Sequence, residues 1–95
     1  MITSNEPGIY RPGRWGVRIE NLVVNVPADS GEFGEFLRFE TLTLCPIDTR
    51  LIERSLMRAD EIAWLNAYHD EVRRRVGPLV SGAASAWLNE RTQPF

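Results

Sequence analysis

The sequence predicts an α+β chain, with strands in its first half and helices in its second. Runs rich in Val, Ile, Phe, Trp and Thr, bounded by Gly and Pro, fill the first 45 residues. An apolar stripe at helical spacing then starts at Ile62 and lasts until Gly77-Pro78 interrupts it.

The stretch Trp15 to Val26 (WGVRIENLVVNV) reads as one strand. Val17, Ile19 and Val23 share one parity, and Leu22, Val24 and Val26 share the other, the pattern of a strand covered on two faces. Residues 28–34 (ADSGEFG) read as a polar loop, and Phe36 to Cys45 as a second strand that Pro46 ends. In the helical half, Ile62, Leu65, His69, Val72 and Val76 recur every three or four residues, with Trp64 and Tyr68 widening the stripe. Ser81 is a candidate N-cap for a shorter helix carrying Ala84, Trp87 and Leu88. Two short helices cannot cover both faces of such strands, so the strands are expected to join a larger sheet or another copy of the chain.

Composition narrows the function classes. The 95 residues suit one small domain or a piece of a larger one. A net charge of −2 gives no reason to expect nucleic acid or an anionic membrane as partner. All basic residues are Arg, and the Arg73-Arg74-Arg75 run closes the long helix, where positive charge complements the dipole. Cys45, the only cysteine, cannot form an internal disulfide and reads as a small core residue of a reducing compartment. No run approaches the roughly 20 apolar residues of a membrane helix, and the N-terminus lacks a signal-peptide pattern, so the cytoplasm is the expected location.

The residues that suggest chemistry lie in SNEPGIYRPGRWGVRIEN, from Ser4 to Asn21. Glu6 and Glu20 flank a turn signal at Arg11-Pro12-Gly13-Arg14. A three-residue loop, Pro12 to Arg14, pairs Arg11 with Trp15 and sets Glu6 opposite Glu20, with Cβ atoms about 4.5–5.5 Å apart. A two-residue loop puts the carboxylates on opposite faces instead, and Pro7 interrupts a regular ladder either way. Oxygen-rich pairs suit hard divalent cations. Two carboxylates alone supply too few oxygens for a two-metal site, and a plain ion pair of Glu20 with Arg18, with Glu6 solvated, also accounts for both.

SNEPGIY followed by GVRIEN, with Glu20 14 positions after Glu6, resembles the end of the catalytic domain of pita-bread metallopeptidases, and specifically aminopeptidase P. FETLTLCPID and WLNAYH resemble that family's C-terminal extension in its three-domain form. The resemblance implies that residues 1–47 are terminal strands of a pita-bread sheet and residues 48–95 two helices of the extension. It implies a hydrolase that removes an N-terminal residue preceding proline, using two divalent ions, with manganese expected. By the same resemblance Glu6 ligates one metal and does acid/base work, while Glu20 bridges both. Arg18 braces the carboxylates, and Tyr10 lines the site. The family's two Asp ligands, its His ligand and its substrate-binding histidines have no match in these residues. His69 lies on the helical stripe and is expected to pack or hydrogen-bond at an interface. Ile9 and Thr41 depart from the family pattern, and Arg58 stands where a capping Ser or Thr is usual, loosening a helix start by about 1 kcal/mol. The chain alone is expected to be inactive. Peptides with proline in second position are the expected partners of the complete enzyme, and a homodimer or larger homo-oligomer the expected assembly. The alternative is a free-standing domain that works by self-association rather than catalysis.

Overall fold

The computed structural model describes all residues, Met1 to Phe95. Five strands precede two α-helices: β1 Ile2–Asn5, β2 Gly8–Arg11, β3 Trp15–Arg18, β4 Asn21–Gly31, β5 Gly34–Thr41, α1 Ala59–Val76 and α2 Gly82–Arg91. The chain divides into two compact units, Met1–Thr43 and Leu44–Phe95.

In the first unit all pairings are antiparallel: β1-β4-β5 form one sheet and β2-β3 a hairpin. The expected single strand from Trp15 to Val26 is therefore two strands, parted at Ile19-Glu20. Pro7 is the physical reason. Ile19 N–H donates to the Pro7 carbonyl at 3.4 Å, but Pro7 has no N–H to return the bond. The polar segment expected as a loop is mostly strand. β4 runs on to Gly31, a bulge between Pro27 and Ser30 shifts its register, and only Glu32-Phe33 turn back into β5. Pro27 is tolerated because it lies beyond the reach of β1, whose pairing starts at Ile2 opposite Val24. β5 spans Gly34–Thr41, shorter than the expected Phe36 to Cys45. Of this unit's side chains only Val23 is buried, so the apolar faces of its strands stand open.

The second unit carries the helical core. Tyr68, Val72 and Leu88 are buried, and Leu44, Ile47, Val76 and Val80 pack on them. The stripe held for Leu65, His69 and Val72, whereas Trp64 and Trp87 are exposed and Tyr68 faces inward. Trp64 stacks on Tyr68, with ring centroids 5.3 Å apart. Arg58 supplies no capping acceptor to α1, yet Glu61 reaches back to its N–H at 2.8 Å, so half of a capping box survives. Ser81 is the N-cap residue of α2 but makes no side-chain capping bond. The basic run does more than complement a dipole: Arg73 donates to the Thr92 carbonyl at 2.7 Å and fixes the end of α2. No helix is long and apolar enough to cross a membrane.

The segment before the helices has no regular partner, and two side chains of α1 satisfy its backbone. Tyr68 Oη donates to the Cys45 carbonyl at 3.0 Å, and Ile47 N–H donates to His69 Nε2 at 3.0 Å. His69, 1% exposed, thus packs as expected and is held neutral; its buried Nδ1 has no partner. Burial lowers its pKa, and the charge of Arg73 acts in the same direction. The unfolded chain therefore takes up a proton near the ordinary value of 6.5 while the folded chain does not. Stability is expected to be full above that pH, and to fall as pH drops from it toward the lower folded-state pKa. Thermal melts across that window should show this slope in the wild type and a flatter one in His69→Gln. Equal slopes would contradict the assignment.

Candidate functional site

The site residues sit on the β2-β3 hairpin and the segments leading into it. Arg14 N–H donates to the Arg11 carbonyl at 2.9 Å, and Gly13 adopts φ +71°, which closes a three-residue loop. Arg11 pairs with Trp15, as the three-residue alternative requires. The residue numbers of every pair in β2-β3 sum to 26, and so do those of every pair in β1-β4. One register thus continues across the Pro7 interruption and sets Glu6 opposite Glu20 at its centre.

Alternation within this register puts Glu6, Tyr10, Arg18 and Glu20 on one face. Arg18 Nε pairs with Glu20 Oε2 at 2.9 Å, both side chains being half exposed. A pair so open to solvent adds little stability; its consequence is orientation. The guanidinium pKa is raised chiefly by Glu20, then by Tyr10 through charge and a hydrogen bond, and also by Glu6. Glu20 and Tyr10 thus both bond to Arg18, and Glu6 lies within range of its charge. Glu6 accepts a hydrogen bond from Ser4 Oγ at 2.5 Å. The ion pair anticipated as the plain explanation of Glu20 is present, and it leaves the opposed carboxylates in place.

Sequence reasoning passed over Gly8 and Gly16. Gly8 pairs with Arg18 and Gly16 with Tyr10, so both lie on the carboxylate face, and the Tyr10 ring lies across them. Glycine inside a strand is the available signal, since it marks close approach. On the opposite face Pro7, Ile9, Trp15, Val17 and Ile19 line an apolar concavity, and Ile9, Trp15, Val17 and Ile19 are exposed. His69 takes no part in the site.

The donor set fits part of a hard-cation site. Two opposed, solvent-accessible carboxylates with an arginine orienting one of them offer oxygen ligands of the right chemistry. No group of three or more His, Cys, Asp or Glu in the chain gathers to hold an ion by itself. What the fold and this face define is a strand-borne group of two opposed carboxylates and an arginine, donors whose chemistry suits a hard divalent cation.

Comparison with known proteins gives the family of the chain. Residues 35–95 match the family described as the C-terminal region of peptidase M24, and the chain belongs to that family. It is similar to a probable Xaa-Pro aminopeptidase P of Coprinopsis cinerea, 45% identical over all of this chain and 16% of that protein. It is similar to aminopeptidase P2 of Arabidopsis thaliana, 44% identical over all of this chain and 14% of that one. Among solved structures, X-prolyl aminopeptidase of Caenorhabditis elegans, a cytosolic enzyme with a di-nuclear active site, superposes with a TM-score of 0.84 at 36% identity. That match covers 99% of this chain and 16% of the larger one. The chain thus spans about a sixth of the length of the relatives it matches.

If Arg18 offsets the opposed carboxylates, Arg18→Met should lower the melting temperature of the metal-free chain at low salt. Adding Glu6→Gln should recover part of the loss. A double variant no more stable than Arg18→Met would show that the two carboxylates do not sense each other.

Proposed function

We propose that the chain is the C-terminal part of a cytoplasmic Xaa-Pro aminopeptidase, which hydrolyses the bond between an N-terminal residue and a following proline. The observation that carries this is the unbroken register that opposes Glu6 and Glu20 beside Arg18, in a member of the peptidase M24 C-terminal family. In this reading residues 1–47 are terminal strands of the catalytic domain and 48–95 its helical extension. The complete enzyme holds two divalent ions, manganese by proposal, and Glu6 and Glu20 contribute to their ligands. The chemistry such ions supply is Lewis-acid polarisation and acidification of water. Glu6 accepts the proton released as the peptide carbonyl is attacked and returns it to the leaving amine. Glu20 would help to hold the ions, with Arg18 Nε keeping one of its oxygens in place. Tyr10 lines the same face and bounds the space for the peptide.

A second reading, self-association, is favoured by the exposed row Ile9, Trp15, Val17 and Ile19. Burying each such side chain against a second copy contributes roughly 1.5–3 kcal/mol. Sedimentation of the 95-residue chain at micromolar concentration is expected to show a dimer or larger species; a single monomer would remove this reading.

For the enzyme reading, the 95-residue chain should be inactive with excess Mn²⁺. In the complete protein Glu6→Gln should lower kcat by roughly 10²–10⁴-fold, and Glu20→Gln should lose bound metal as well as turnover. The readouts are cleavage of an Xaa-Pro peptide and metal analysis of the purified variants. Normal rates with a full metal complement in Glu20→Gln would reject the assignment.

A further inference from the structure

Tyr10 takes its position from the absence of two side chains. Neither Gly8 nor Gly16 has a positive φ, so backbone conformation demands glycine at neither position. Space demands it at both. A Cβ on Gly16 would lie 2.7 Å from Tyr10 Cδ1 and 3.2 Å from Cε1, and one on Gly8 would lie 2.7 Å from Tyr10 Oη. The ring therefore lies flat on the hairpin, crossing Gly16 and ending over Gly8. Gly8 is the cross-strand partner of Arg18, and the hydroxyl that ends over Gly8 hydrogen-bonds with the Arg18 side chain. Tyr10 is 58% exposed, so little besides this bare floor restrains it.

We infer that Gly8 and Gly16 are positioning residues: they let Tyr10 lie across the hairpin with its hydroxyl at Arg18, and Tyr10 in turn fixes the guanidinium that holds Glu20. The geometry stands by itself, and its consequence for catalysis rests on the proposed function above. The assignment explains why a strand pair carrying a site spends two of its eight ladder positions on residues with no side chain. Gly16 is the diagnostic position, because a Cβ on Gly8 would also meet the Val17 carbonyl oxygen at 2.8 Å, whereas the three atoms nearest a Cβ on Gly16 all belong to the Tyr10 ring.

The test has two arms. In the 95-residue chain, nuclear Overhauser contacts should connect the Tyr10 ring with Gly16 and with the Arg18 side chain. Gly16→Ala should abolish the Tyr10–Arg18 contacts while the cross-strand contacts of Ile9 with Val17 persist. Retained Tyr10–Arg18 contacts would overturn the proposal. If Gly16→Ala does not fold, adding Tyr10→Ser should restore folding by removing the ring, and failure to restore it would overturn the proposal too. In the complete enzyme, Gly16→Ala and Tyr10→Ser should each lower kcat/KM by roughly tenfold, the scale of one hydrogen bond to a charged group. The double variant should be no worse than either single one; multiplying losses would show that Gly16 does not act through Tyr10. A complete protein without Xaa-Pro activity would sink the functional reading and leave the positioning to the spectroscopic arm.

Discussion

The register of one hairpin decides which side chains share the carboxylate face. A three-residue turn, closed by the Arg14 N–H on the Arg11 carbonyl and by Gly13 in the left-handed region, fixes which residue meets which. Side chains alternate along a strand, so a slip of one residue would send one carboxylate to the apolar face. The same register survives beyond Pro7 into the pairing of β1 with β4. Glu6 and Glu20 fall in the gap between the two ladders, where backbone hydrogen bonding is interrupted.

That gap has its own logic. A continuous ladder would pair the backbone on both sides of the carboxylates, whereas Pro7 removes one donor from it. Orientation then passes to side chains. Arg18 holds Glu20, Tyr10 lies beside Arg18, and Ser4 holds Glu6. Each of these contacts is exposed and contributes little stability, so their value lies in where they place oxygen atoms.

Much of the fold was legible because helical periodicity and turn residues are local signals. Leu65, His69 and Val72 followed the stripe inward, and the Pro12-Gly13-Arg14 turn gave the correct pairing. Strand ends were less legible. Nothing local in Ile19-Glu20 marks a break, because its cause is Pro7 on the partner strand. The polar residues 28–31 looked like a loop, yet Ser30 and Gly31 pair with β5 beyond a bulge at Ala28-Asp29. Trp64 and Trp87 lie on helices with apolar neighbours, and packing left both exposed. Of the site, the carboxylates, Arg18 and Tyr10 came from the resemblance, while the register placed Glu6 opposite Glu20. Gly8 and Gly16 escaped notice because their part in the arrangement depends on the path of the Tyr10 ring, which no spacing reveals.

In the proposed reading this register makes Glu6 and Glu20 ligands of one metal centre. Diffraction at the manganese absorption edge from crystals of the complete protein, grown with Mn²⁺, tests it most directly. The account predicts two anomalous peaks, with Glu20 contacting both and Glu6 contacting one. Peaks remote from the hairpin, or a Glu20 bound only to Arg18 while the metals sit elsewhere, would contradict it.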